Sequence, residues 1–291
     1  MSKSDLRSPI IYILTFIIVI LLVMMKKMDD QNKEKSFEKR MEQLETKIEN
    51  VKKANKKKQH KISPEIDPPY IKGRIGIIID DFGYRNDEVS DGFLELNASL
   101  TYAIIPGHEH SRSFGEKAKN AGFEVIVHMP MENTGRTYGE EEFVLTTEMA
   151  SETIERRINK AFDQIPSAIG MNNHQGSKSS ADQSVMSTLA KVLKKQKKFF
   201  VDSRTTVETV AETTMEVYGV PTARRNIFLD NDDDEEKIAR QLKKLAIKSQ
   251  ENGFAIGIGH VKPKTLNVFK QEIPKLQKDG YKFEFVSKML H

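Results

Sequence analysis

Residues 75–83 read IGIIIDDFG: an apolar run of isoleucines, interrupted only by Gly76, that stops on two acids, a Phe and a Gly. A strand apolar at every position has no solvated face, which is the mark of a parallel strand covered on both sides. The rest of the chain to its end repeats the theme. Short apolar runs at 74–79, 100–105, 123–127, 167–171, 198–201, 223–229, 253–258 and 281–286 predict strands. Longer amphipathic stretches at 87–96, 111–121, 147–164, 182–196, 206–217, 233–251 and 264–278 predict helices between them. Ser111, Thr147 and Asp182 are expected as helix caps, and Gly122, Gly253 and Gly280 as helix stops. Parallel neighbours need crossover connections, so the alternation predicts repeated βα units, either a (β/α) barrel or an open doubly wound sheet.

The loops bear on this choice. No Gly-x-Gly-x-x-Gly comes after the first strand and no Gly-Lys-Ser/Thr loop occurs, which removes the usual support for a nucleotide-binding open sheet. The strands end instead on chemically capable residues: Asp80-Asp81, His128, Asn172-Asn173-His174, Asp202-Ser203-Arg204, a position near Asp230, and His260. In a (β/α) barrel those strand ends share one rim, where an active site is built. One His or Asp at a strand end is ordinarily a structural hydrogen-bonding group or a cap. Three of the chain's seven His in that position, on separate strands, are harder to treat as three accidents.

Asp81, His128 and His174 form a two-imidazole, one-carboxylate set that suits zinc, or another first-row divalent ion, and leaves room for water and substrate. Such an ion lowers the pKa of water and polarises a carbonyl. Asp80 is then placed to take a proton, and His260 to give one to a leaving group. Adjacent residues on a regular strand point to opposite faces. The use of both Asp80 and Asp81 therefore requires the strand to end or bulge between them, and Phe82-Gly83 is consistent with that.

IGIIIDDFG, TYAIIP, GFEVIVHMPME, GMNNHQGSKSSAD, FFVDSRT and AIGIGHVKP resemble, in order, the motifs of the divergent polysaccharide deacetylase family over nearly all of residues 72–288. The resemblance implies a distorted (β/α) barrel of seven or eight strands and removal of acetyl groups from cell-wall or extracellular polysaccharide. It implies Asp80 as catalytic base, Asp81 as metal-binding carboxylate and His128 as the first His of a His-x-x-x-His pair. Position 132, where the second is expected, is Glu. Either Glu132 takes that role or His174 does, and the strand-end setting favours His174. The resemblance further implies that Asp202 orients the base, that Arg204 contacts substrate beside Asn173, and that His260 is the general acid. A barrel that binds or scaffolds glycan without turnover is the alternative from a different class.

The N-terminal part is of another kind. Residues 9–25, PIIYILTFIIVILLVMM, are 17 uncharged residues between basic flanks, long enough to span a bilayer and with no small-x-small cleavage site behind them. We expect a membrane anchor over 1–27, a charged helical stalk and linker over 28–70, and the barrel over 71–291 of a single-pass protein; flanking charge alone would keep the barrel inside, and the resemblance implies the extracytoplasmic side. Phe37, Met41, Leu44, Ile48 and Val51 step by four and three, which suits either a weakly dimerising stalk or a solvated single helix. Of 46 Lys plus Arg and 42 Asp plus Glu, the first 70 residues hold 15 and 10, so the folded part carries almost no net charge. Nucleic acid is not an expected partner. The absence of cysteine excludes disulfide scaffolds, Cys-ligated metal sites and thiol nucleophiles.

Overall fold

A computed structural model of the chain describes residues 71–135 and 140–291. The expected anchor and stalk, residues 1–70, lie outside the described residues; among those described, no helix is long and apolar enough to cross a membrane.

Nine strands and seven helices are seen among the described residues. In chain order they are β1 (Gly73–Phe82), α1 (Glu88–Leu94), β2 (Thr101–Ile104), α2 (Ser111–Asn120), β3 (Glu124–Met131), α3 (Ser151–Gln164), β4 (Gly170–Gln175), α4 (Gln183–Gln196), β5 (Phe199–Asp202), α5 (Ala211–Tyr218), β6 (Thr222–Arg224), β7 (Ile227–Phe228), α6 (Glu235–Asn252), β8 (Phe254–His260), α7 (Pro263–Lys278) and β9 (Tyr281–Phe283). Every strand pairing is parallel, in the order β6-β5-β4-β3-β2-β1-β8-β7. β9 pairs with Gly73–Ile75 of β1. Since Arg74 also pairs with Phe254 of β8, β9 must lie on the β2 side, below the point where β2 begins.

Strand alternation divides the apolar residues into two sets. Ile75, Ile77 and Ile79 of β1, with Tyr102, Val127 and Phe200, face the helices and pack with Phe114, Leu189, Leu242 and Phe269. Ile78, Ala103, Ile126, Val201, Ala223, Ile256 and Ile258 face the other way and form the inner core with Val286 and Met289 of the C-terminal segment. That segment closes the bottom of the sheet. Val286 N–H donates to Thr101 Oγ1, Ser287 N–H donates to Glu124 Oε1, and His291 exchanges two backbone bonds with Thr222 at the start of β6.

The expected closed ring of seven or eight strands is corrected in one respect. The single strand foreseen over 223–229 is broken into β6, which pairs with β5, and β7, which pairs with β8. Arg225 N–H is spent on Asp202 O and Asn226 N–H on Ile256 O, so the chain changes partner between consecutive residues. The sheet is thus a parallel half-barrel with helices outside, whose two ends, β6 and β7, are joined through the chain and not by a ladder. Two expected caps also move. Thr147 gives its N–H and hydroxyl to Glu132, and α3 starts four residues later, at Ser151. Ser111 is the first residue of α2 and donates to Ile105 O. Asp182 does cap α4, accepting from Val185 N–H at 2.9 Å.

Beside β4 and β5 there is no room for a side chain, since a Cβ added to Gly170 would lie 2.5 Å from the Phe199 ring. Gly170→Ala should therefore destabilise the domain by about 1–3 kcal/mol through overpacking. Chemical denaturation of residues 71–291 checks this, and Gly170→Ala combined with Phe199→Leu should recover part of the loss.

Candidate active site

The inward positions at the C-terminal ends of the strands are polar. Along β1 the inner face runs Gly76, Ile78, Asp80, and along β8 Ile256, Ile258, His260, with Asp80 in register with His260. His128 of β3 is in register with Asn172 of β4, and Pro130 with His174. A layer of Asp80, His128, Asn172 and His260 thus rests directly on the layer of Ile78, Ala103, Ile126, Val201 and Ile258.

Asp81 joins this layer through a local irregularity. The β1–β2 register moves from Ile79↔Tyr102 to Phe82↔Ile104, one extra residue on β1, and Asp81 has φ 69°. This bulge breaks the alternation that would turn Asp81 away from Asp80. The left-handed conformation is disfavoured for a residue with a side chain by roughly 1–2 kcal/mol. The bond of Ile105 N–H to Phe82 O fixes the chain just beyond it.

Three donor atoms then converge. His128 Nε2 is 3.1 Å from His174 Nδ1, and Asp81 Oδ1 is 3.4 Å from the first and 3.3 Å from the second. Ligand atoms about 2.0–2.1 Å from a tetrahedral zinc ion are spaced by roughly 3.3 Å, so the triangle has the right size. Its chemistry also fits. Asp81 Oδ1 is buried and has no hydrogen-bond partner, an arrangement that is costly unless a cation occupies the space before it. His128 Nδ1 lies 2.7 Å from Asn172 Oδ1, an atom that can only accept, so Nδ1 carries the proton and the Nε2 lone pair faces the triangle. Asn172 Nδ2 in turn donates to Asp80 Oδ1 at 2.9 Å and to Ser203 Oγ at 3.3 Å. One buried amide therefore sets both the tautomer of His128 and the direction of Asp80.

The two carboxylates are driven apart electrostatically. Burial raises the Asp80 pKa, and His128 and His260 only partly oppose it. At Asp81 burial also acts upward, but the close approach of His128 and His174 and the charge of the nearby imidazoles outweigh it and hold the carboxyl well below the usual range. Two acids whose environments separate them in this way suit different jobs, proton exchange for Asp80 and cation binding for Asp81. On the opposite wall, His260 Nδ1 donates to Asp230 Oδ1 at 2.8 Å, while Asp230 Oδ2 accepts from His260 N–H and Thr265 Oγ1, each at 2.7 Å. Burial opposes the charged imidazole, yet Asp230 raises its pKa overall. His260 Nε2 is left facing Asp81 Oδ2 at 4.0 Å.

The other residues singled out in the sequence are placed differently. Asp202 shares the parity of Phe200, not of Val201 and Ser203, and so points away from Asp80; it accepts from Arg204 N–H and Thr209 Oγ1 and organises the loop after β5. Asn173 is buried and ties β4 to β5, accepting from Ser203 N–H and donating to Gln175 O and Thr205 Oγ1. Arg204 has φ 50° and sits on the same loop. Glu132 is held by Lys178 and Thr147, outside the donor triangle, because β3 has turned away by that point. The orienting roles fall to Asn172 and Asp230. The signal for Asn172 is its two-residue spacing from His174, which puts both on one face once β4 is carried through to Gln175. At the rim, the Tyr84 ring lies tilted against His108 at 47°, and both side chains bond to Glu140.

Comparison with known proteins agrees with this architecture. The chain is 34% identical over 214 residues to the uncharacterized protein YibQ of Escherichia coli strain K12, covering 74% of this chain and 66% of that one. It is 33% identical over 210 residues to an uncharacterized protein of Haemophilus influenzae, covering 72% and 74% respectively. A crystal structure of an uncharacterized protein from Agrobacterium tumefaciens C58 shares the fold, with a TM-score of 0.72 at 18% identity over 76% of this chain and 90% of the other. The family model described as divergent polysaccharide deacetylase matches residues 77–290, and this chain belongs to that family.

Proposed function

We propose that this protein is a metal-dependent hydrolase that removes acetyl groups from a polysaccharide. The observation that carries this reading is the bulge at Asp81, which brings two carboxylates with opposite electrostatic tendencies to face His128, His174 and His260. Family membership supports a glycan as the substrate.

Asp81, His128 and His174 would hold a divalent ion, zinc in this reading, whose contribution when bound is Lewis-acid activation of water and of the acetyl carbonyl. The chain's own groups supply the rest. Asp80, directed by Asn172, accepts a proton from the attacking water. His260, held by Asp230, donates a proton from Nε2 to the departing nitrogen or oxygen of the sugar. The products are acetate and the free amine or hydroxyl. The buried apolar layer beneath keeps water away from the inner side of the site and strengthens each of these interactions.

In this reading residues 1–27 anchor the protein in the membrane, 28–70 form a spacer whose 37–51 segment gives at most a weak dimer, and the enzyme works outside the cytoplasm on cell-wall glycan. The uncharged run of residues 9–25 supports the anchor, and membership of a polysaccharide deacetylase family supports the side and the glycan. Protease added outside intact cells should digest residues 71–291, and complete protection would refute that orientation.

Purified protein should bind about one zinc ion per chain, measured by elemental analysis and calorimetry. His128→Ala and His174→Ala should abolish that binding, and Asn172→Leu should weaken it by about 10–100-fold, because an outer partner of a ligand is lost. Retention of zinc by both His variants would refute the ligand set.

Acetate release from acetylated oligosaccharides tests the chemistry. Asp80→Asn should lower kcat by about 10²–10⁴-fold with zinc still bound, as expected for loss of a general base. Glycan binding by zinc-loaded protein without any acetate release would instead establish a binding barrel.

A further inference from the structure

The break between β6 and β7 opens a second feature of the surface. Elsewhere in the half-barrel a helix follows each strand and covers the groove to the next. Between β6 and β7 the chain has only Arg225 and Asn226. The groove left uncovered is a cleft of about 580 Å³, running from the loop after β5 at the rim to the last turns of α6. Its lining includes Arg204, Arg224, Arg225, Asn226 and Lys248 and contains no acidic side chain.

The donors in this cleft are arranged, not merely abundant. Arg225 lies with its guanidinium 4.7 Å from the Phe228 ring, donating from Nε to Ser203 O and from Nη2 to Arg204 O. Its Nη1 makes no bond to the described residues. Asn226 Oδ1 accepts from Ile256 N–H, which leaves the Nδ2 donors of that amide unspent. Arg204 is carried in a left-handed turn whose amide is fixed by Asp202. Among the described residues neither Arg204 nor Lys248 forms an ion pair, whereas Arg224 is paired with Glu212 at 3.3 Å. An uncovered groove lined by four cationic side chains and no carboxylate matches a carboxylate or phosphate better than a neutral sugar. The cleft is linked to the reaction centre through Phe228, on which Arg225 lies and whose ring stacks on His260 at 5.3 Å and 27°.

We propose that this seam cleft is an oxyanion subsite that seats an acidic substituent of the glycan chain, next to the residue being deacetylated. The inference rests on the glycan reading above and gives it a substrate class, an acidic polysaccharide. Specificity then comes from the break in the sheet, while the chemistry stays on the strand ends.

Binding to the full chain, measured by calorimetry at two salt concentrations, tests it with three probes. These are a tetrasaccharide alternating N-acetylglucosamine and N-acetylmuramic acid, which carries lactyl carboxylates, the neutral N-acetylglucosamine tetrasaccharide, and inorganic phosphate. The acidic tetrasaccharide should bind at least tenfold more tightly than the neutral one, and the preference should shrink as salt rises. Lys248→Glu and Arg204→Ala should each cut that preference to about twofold or less, with Lys248→Glu leaving affinity for the neutral probe unchanged. Equal affinity for the two tetrasaccharides, or a preference that survives both substitutions, overturns the proposal. Phosphate binding that depends on Lys248, without any preference for the acidic glycan, also overturns it, since the cleft would then serve a free anion. A seam-dependent acidic preference in a protein that releases no acetate sustains the cleft and sinks the hydrolase reading, so the two can fail separately.

Discussion

A strand buried on both faces can aim only every second side chain into the interior, and that limit governs this molecule. β1 obeys it from Ile75 to Asp80, with Gly76, Ile78 and Asp80 inward and Ile75, Ile77 and Ile79 toward the helices. The site requires Asp81 as well. One extra residue against β2 and a positive φ at Asp81 supply it, at a conformational cost comparable with one good hydrogen bond. The contacts of Asp81 to His128 and His174 are what that backbone irregularity provides in return. Strain at this position is thus tied to the donor triangle, and relaxing the bulge would turn Asp81 out of it.

The placement of the polar layer depends on the core beneath it. The strand residues two positions before Asp80, His128 and His260 are apolar and buried: Ile78, Ile126 and Ile258. The C-terminal segment plugs the opposite end, with Met289 and Val286 against Gly76, where a Cβ would come within 2.8 Å of the Met289 sulfur. The site therefore has a dry floor and opens only at the rim. A low-dielectric floor raises Asp80 and magnifies the attraction between Asp81 and the imidazoles. Burial acts upward on both carboxylates, and the imidazoles close to Asp81 are what set the two apart.

Much of this is legible in the sequence because parallel strands advertise themselves. Each described strand begins inside an apolar run or within three residues of one, and Asp80, Asp81, His128, His174 and His260 meet as their strand-end positions suggest. The misplaced residues share a cause. Asp202 and Asn173 both lie at a strand end, but which way a side chain points depends on strand parity, which is set by the register and by where the strand stops. β4 continues to Gln175, so its inward residues are Asn172 and His174, while Asn173 bonds sideways to β5. Glu132 comes after a strand too, but Lys178 and Thr147 capture it, and neither is near it in sequence. The role of Asp230 needs the three-dimensional approach of the loop after β7 to the end of β8.

The broken strand sets the seam cleft apart from the donor triangle. The apolar run over 223–229 looks like one strand because both halves are strands; what sequence conceals is the exchange of partner at Arg225 and Asn226, which turns on single backbone bonds to Asp202 and Ile256. With no crossover helix there, polar and cationic side chains stand where other grooves are filled by apolar helix faces. The lower end of the break is held by His291 on Thr222, and the upper end by Arg225 on the carbonyls of Ser203 and Arg204. Both fastenings lie outside the Asp81, His128 and His174 triangle. Changes in the groove can therefore alter which chain is gripped, while the donor geometry, which depends on the bulge in β1 and on Asn172, is left as it was.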